Sequence, residues 1–215
     1  MIKTLVLCDD YWHPGEVIEA GMKPLEDKLD ISYIHDAKDM LTHELLEKYQ
    51  VIVCCKGDQI NGANQNIWFE ENVTEVMPED FGDWVSEGNG MLFIHAGNTY
   101  KKESGFAKLA GSFFLGHPPR CTVELELIKH PITDCVNDFS IRDEHYQIEV
   151  TESNIDIFMK SISKEGGEQI SGYTKELGKG RICVLTPGHN ILDVWRKHEY
   201  LKLVYNAIEW SAGVR

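Results

Sequence analysis

MLFIHAGN, residues 91–98, carries four apolar residues into a histidine, His95, and then bends on two small ones, Ala96 and Gly97. A short, unbroken apolar run bounded by a turn reads as a strand buried on both faces, as in the middle of a parallel sheet. Strand, reactive side chain, small residue, glycine is the order of a nucleophile elbow, in which a sharp turn lifts one side chain above the sheet. An imidazole at that point can ligate a metal, donate a hydrogen bond or transfer a proton, but it is a poor acylation nucleophile.

Working outward, KTLVLCDD (3–10), DISYIHD (30–36) and QVIVCCKGD (50–58) read as further apolar strands. Helical spacing separates them in PGEVIEAGMKPLEDKL (14–29), DMLTHELLEKY (39–49) and a segment from about Pro78 to Gly88 or Gly90. Alternation of this kind predicts an α/β fold, with a parallel sheet covered on both faces and a site at the carboxyl ends of its strands. After residue 120 the texture changes. CTVELELI (121–128) alternates, DEHYQIEV (143–150) partly alternates, IDIFMKSI (155–162) is a short strand, and residues 169–188 read as a hairpin across ELGKG. HEYLKLVYNAIEWSAG (198–213) is an amphipathic helix stopped by Gly213. The polar, amide-rich stretch after Asp58 reads as an irregular loop near the site edge. With no repeat and no low-complexity linker, residues 1–215 read as a single domain.

Composition narrows the function classes. The chain has 215 residues, 42% apolar and 26% charged, with a formal charge of −14. No basic stripe is present to displace counterions from phosphates, so neither a nucleic acid nor a membrane is expected as a partner. No run of about 18 apolar residues suggests a membrane span, and the first apolar run meets two aspartates at once, as a strand does and a signal peptide does not. The six cysteines form no C-x-x-C pair, and most lie in strand-like apolar runs. Free thiols in a reducing, cytoplasmic setting are expected.

Class I glutamine amidotransferases build a similar elbow around a cysteine in G-x-C-x-G. Aligning FIHAG (93–97) on it puts His95 where that cysteine stands, and no other Cys or Ser occupies the turn. Thioester chemistry on an amide is therefore not expected. The chain resembles the trehalose-utilisation (ThuA-like) family, through LCDDYWHPGEV (7–17), GNGMLFIHAG (88–97), GHPPR (116–120), HPITDCVNDFSIRDEHYQIEV (130–150), GKGRICVLTPGHN (178–190) and LVYNAIEWSAG (203–213), in the family's order. One departure is DEHY, where a Leu or Gln often precedes the Tyr; it leaves open whether Glu144 or His145 faces the site. The resemblance implies a flavodoxin-like, class I glutamine amidotransferase-like fold without the catalytic cysteine: a mostly parallel sheet, helices on both faces and extra C-terminal strands. It also implies a role in the metabolism of disaccharides and related sugars, commonly beside sugar dehydrogenases that make keto sugars.

His95, His117, Glu144 and His189 fall at strand or motif ends. Imidazoles and a carboxylate are ligand types for zinc or a similar divalent ion, and His95, His117 and His189 are the candidate metal ligands. Without metal, His95, Glu144 and His189 are the candidate catalytic groups, with Glu144 as base toward a proton alpha to a ketone and a histidine polarising the oxygen. Around them, Asp9, Asp10, Trp12, His13, Asp58, Arg120 and Tyr146 are candidate sugar contacts. Of the two acids, alternation with Leu7 points Asp9 inward. Trp12 reads either as a stacking face or as core, and Asp9 and Asp10 either as sugar acceptors or as caps for the following turn. GKGR (178–181) precedes a strand and lacks the Ser/Thr of a phosphate loop, so it reads as a hairpin turn. His35, His43, His130 and His198 read as surface or loop residues, and no nucleotide cofactor is expected.

The leading expectation is an enzyme acting on a disaccharide or oxidised (keto) sugar by hydrolysis or isomerisation, with or without the assistance of a divalent metal. The alternative is a non-catalytic protein that binds a sugar or a partner such as a sugar dehydrogenase. Apolar side chains at Trp68, Phe69 and Phe113 are candidates for a homo-oligomer contact.

Overall fold

The computed structural model describes residues 1–57 and 60–215; Asp58, a candidate sugar contact, lies outside the described residues. The strands are β1 (Ile2–Leu7), β2 (Leu29–Ile34), β3 (Val51–Cys54), β4 (Gly90–Ile94), β5 (Ser112–Gly116), β6 (Cys121–Leu127), β7 (Phe139–Asp143), β8 (Gln147–Val150), β9 (Asp156–Ser163), β10 (Gly167–Leu177) and β11 (Gly180–Leu185). The helices are α1 (Gly15–Met22), α2 (His43–Leu46), α3 (Phe81–Ser86), α4 (Gly105–Ala110) and α5 (His198–Ser211). One nine-stranded sheet runs β2-β1-β3-β4-β11-β10-β9-β6-β7, and β5 and β8 pair separately as an antiparallel ribbon.

The sheet is parallel from β2 to β11 and antiparallel from β11 to β7. In the parallel half each strand splits its side chains between two cores. Val6, Val53, Leu92, Ile94 and Leu185 pack with α1 and α5; Leu5, Leu7, Ile52, Phe93 and Val184 pack with α3 and α4. Burial on both faces is the reason these strands read as unbroken apolar runs. In the antiparallel half β6 buries only alternate residues, Cys121, Val123 and Leu125, and its glutamates face solvent. The hairpin joins β10 to β11 as the ELGKG turn predicts, with Gly178 at φ +60.

Three expectations need correction. Trp68 and Phe69 are 3% and 9% exposed and belong to the core around Phe81 and Phe106, so they offer no oligomer surface; their loop is polar in composition but folds inward at this pair. His130 is buried, and its Nδ1 accepts from the Ile132 N–H at the start of a short 3-10 turn. The third helix begins at Phe81, not near Pro78. No helix among the described residues is long and apolar enough to cross a membrane.

Candidate functional site

β1, β3, β4 and β11 are parallel, so the chain leaves all four at one edge of the sheet, and His95 follows β4 there. Its φ is +45, a left-handed conformation uncommon for a residue with a side chain. The turn behind it needs glycine: a Cβ on Gly97 would lie 2.0 Å from the Cys54 carbonyl oxygen. The elbow read from the sequence is therefore present, with an imidazole at its tip.

His189 reaches the same place from the turn after β11, and Glu144 from the end of β7. Although β7 is the far edge strand of the sheet, Asp143 at its end accepts from the Gly188 N–H at 2.8 Å and the His189 N–H at 3.3 Å. The antiparallel half must therefore curl back onto the parallel half. Gly188, at φ +150, lets the turn lie against His95, where a Cβ would sit 2.9 Å from the His95 Cβ. Three distant segments are thereby locked at one point.

The polar atoms converge closely. His95 Nε2 lies 3.3 Å from His189 Nδ1 and 3.4 Å from Glu144 Oε2, and His189 Nδ1 lies 3.2 Å from the same carboxylate oxygen. His13 completes the group. One ligand atom from each of His13, His95, Glu144 and His189 lies within 4.8 Å of every other. Tautomers follow from the outer partners. His95 Nδ1 faces the Thr186 carbonyl at 2.9 Å and must carry the proton, because a carbonyl only accepts. His13 Nδ1 likewise donates to Asp10, at 2.8 Å from Oδ1 and 3.0 Å from Oδ2. Both rings keep an Nε2 lone pair for the site. His117 stands outside this group, its Nε2 3.7 Å from Glu144 and its Nδ1 bonded to the Pro118 carbonyl.

Electrostatics follow from this packing. Burial pushes the Glu144 carboxyl up, but its close contacts with His189 and His95 outweigh it and hold the group well below the usual carboxylate range. The Glu144 hydrogen bond raises His189 against the effect of burial. Burial lowers His95, and burial drives the Tyr146 hydroxyl well above its ordinary value. Asp10 is lowered too: its bonds from His13 and from backbone N–H groups overcome its burial.

A cavity of about 830 Å³ opens above the cluster. Its wall includes Asp10, Trp12, His13, His117, Glu144, Tyr146 and His189, as the sequence reading expects of sugar contacts and reactive groups. Trp12 is 67% exposed, so it is a cavity face and not core. Tyr146 stacks on His95, ring centres 4.1 Å apart, and the β5/β8 ribbon adds Phe114 as a second aromatic wall. Glu144, not His145, faces the site; His145 is buried between Ser161 and Ser163.

Two candidates sit elsewhere. Asp9 points away from the cavity and accepts from the Gly15 and Ala63 N–H groups at 3.0 Å. Its φ of +75 breaks the strand alternation that aimed it inward. Arg120 pairs with Asp193 at 2.9 Å on the surface and is not in the cavity wall. The sequence reading missed Asp143, Thr99, Lys101 and Phe114. Only Asp143, adjacent to Glu144 in an acidic pair, carried a signal that could have found it.

The amidotransferase-like scaffold recurs in solved structures. A ThuA-like protein from Parabacteroides merdae superposes with a TM-score of 0.78 at 17% identity, over 98% of this chain and 90% of that one. A ThuA-like protein from Bacteroides uniformis gives 0.73 at 18% identity, over 98% and 91%. A GMP synthase component from Thermoplasma acidophilum gives 0.59 at 13% identity, over 99% and 95%. No curated protein matches the sequence. The family model described as ThuA, trehalose utilisation, matches residues 10–211, and the chain belongs to that family.

Proposed function

We propose that the protein is an enzyme of sugar metabolism that acts on an oxidised (keto) sugar or a disaccharide by hydrolysis or isomerisation. The observation that carries this reading is the single cavity wall that joins two kinds of surface. Trp12, Phe114 and Tyr146 offer flat apolar faces of the kind that cover a pyranose ring. Glu144 and the imidazoles lie beside them, where a carboxylate or ring lone pair can accept from a sugar hydroxyl and a ring N–H can donate to a carbonyl oxygen. A nucleophile is not among the described residues at the elbow, so the chemistry open to the site is proton transfer and polarisation of oxygen. His95, with Nδ1 committed to Thr186, presents Nε2 to the site, and His189 Nδ1 lies within 3.2 Å of Glu144. Such groups act on a proton alpha to a ketone, or on a water that attacks a glycosidic carbon.

The test is turnover of a panel of disaccharides and their keto derivatives, with binding measured in parallel by calorimetry. The reading predicts that at least one is converted, and that His95→Ala and Glu144→Gln each lower the rate by about 10³-fold. Binding with no conversion above the uncatalysed rate would instead assign the non-catalytic sugar-binding role; no binding at all would remove the sugar.

A further inference from the structure

We propose that His13, His95, His189 and Glu144 form the binding site of one divalent transition-metal ion of the zinc type. This ligand set differs from that expected from the sequence, with His13 and Glu144 in it and His117 out of it. The inference rests on the same cavity as the proposed sugar chemistry, but it stands on separate observations.

The first is spacing. Metal bonds of about 2.0–2.1 Å at tetrahedral angles place neighbouring ligand atoms about 3.4 Å apart. The three separations among His95 Nε2, His189 Nδ1 and Glu144 Oε2 are 3.3, 3.4 and 3.2 Å. The same geometry puts the centres of three coordinated imidazoles about 5.2 Å apart. The rings of His13, His95 and His189 form a nearly equilateral triangle, with centres 5.1, 5.3 and 5.3 Å apart and planes crossing at 75–82°.

The second is proton count. Because Nδ1 is held by the Thr186 carbonyl, the Nε2 of a neutral His95 ring is an acceptor, and it lies 3.4 Å from a carboxylate oxygen. His189 Nδ1 has a single proton to serve both. Acceptors thus outnumber donors at a nearly buried point, which a cation corrects and a further hydrogen bond among these side chains does not.

The third is the outer layer. Asp10 on His13, the Thr186 carbonyl on His95, and Asp143 on the Gly188–His189 backbone each fix a ligand from behind. Histidine ligands are normally oriented by such carboxylates and carbonyls, which set the tautomer and the basicity of the metal-facing nitrogen. Three nitrogens and one oxygen suit zinc and its first-row neighbours and do not suit magnesium or calcium, which prefer oxygen. His117 Nε2, 3.7 Å from Glu144 and partly exposed, lies beyond the shell, on the open side where a substrate would approach.

The full-length protein, stripped with chelator, should take up one equivalent of Zn²⁺ by calorimetry and elemental analysis, and should show no comparable uptake of Mg²⁺. Loaded with Co²⁺ instead, it should give the visible absorption bands of a low-coordinate, nitrogen-bound ion. His13→Ala and His189→Ala should each weaken Zn²⁺ binding by about 100-fold or more, while His117→Ala should stay within about 3-fold of wild type. Circular dichroism of each variant separates ligand loss from unfolding, and His13→Asn supplies a milder variant at the same position. No stoichiometric Zn²⁺ or Co²⁺ uptake would overturn the inference, and so would binding that survives His13→Ala but is lost in His117→Ala. Keto-sugar binding to the metal-free protein, measured separately, keeps the two readings apart. Metal bound with no sugar affinity sinks the sugar reading alone; sugar bound with no metal uptake sinks this inference alone.

Discussion

Lys56 and His95 follow adjacent parallel strands, β3 and β4, and both are almost wholly buried at the same edge of the sheet. Their surroundings are opposite. The Lys56 ammonium donates to the carbonyls of Cys8, Asp9 and His35 and to Asn61 Oδ1, and lies over the Trp68 ring at 4.8 Å. Every proton it has is taken, and what it holds is the crossing point of three loops. Around His95 the balance is reversed, because lone pairs and a carboxylate face one another with one proton to share. A buried polar group with all its partners inside the chain is part of the frame. One whose acceptors converge without enough donors is shaped around something that comes from outside.

The largest effect should come from breaking the satisfied side of this comparison. Lys56→Met removes the ammonium that donates to four acceptors, and should cost about 3–5 kcal/mol of stability, which is about 10 °C in Tm. A thermal melt within 2 °C or so of wild type would mean that the loops hold themselves.

The next effect is a pH dependence. Burial draws the Lys56 ammonium down to about 8, against the pull of Asp9, Asp36 and Asp10. In the unfolded chain it titrates near 10.4. Between those values the unfolded state binds the proton more, so this residue makes stability rise with pH across the window. The stability gap between wild type and Lys56→Met should widen from pH 8 to about 10, by up to about 3 kcal/mol. Urea unfolding of both proteins across that range measures it, and a flat gap contradicts the assignment.

On the convergent side, Asp143 does not touch the cavity but ties the His189 turn to the end of β7. Asp143→Asn should weaken Zn²⁺ binding by about 10-fold, as expected for an orienting partner. Unchanged calorimetric affinity would show that Gly188 alone sets the turn. The smallest effect belongs to Trp12. Because it is mostly exposed, Trp12→Ala should leave Tm where it is and lower sugar affinity by about 1 kcal/mol. A drop in Tm of several degrees would return the indole to a packing role.

The legibility of the chain follows the same division. The parallel half could be read directly, because its central strands β3 and β4 are buried on both faces and carry no charged or polar side chain. The elbow was legible because Gly97 passes against the Cys54 carbonyl, where no Cβ fits. His95 and His189 were found because each stands at the end of a recognisable strand, whereas Glu144 stood out only through the DEHY motif, since β7 before it was not read as a strand. Asp9 was aimed inward by alternation with Leu7, and it does not line the cavity, since periodicity says nothing once a residue turns to φ +75. The sequence could not rank His117 against His13 at the cluster, because the curl that brings β7 and the β5/β8 ribbon over the edge has no local signature. The roles within a cluster depend on distances of a few tenths of an ångström, which only the packed sheet determines.

The central claim is that these scattered groups form one reactive site for a sugar. A crystal soaked with a keto-disaccharide tests it most directly. The account predicts density in the cavity, with a pyranose face against Trp12 or Tyr146 and an oxygen turned toward the cluster of His95, Glu144 and His189. Well-ordered sugar bound elsewhere, with that cavity left to solvent at saturating concentration, would contradict it.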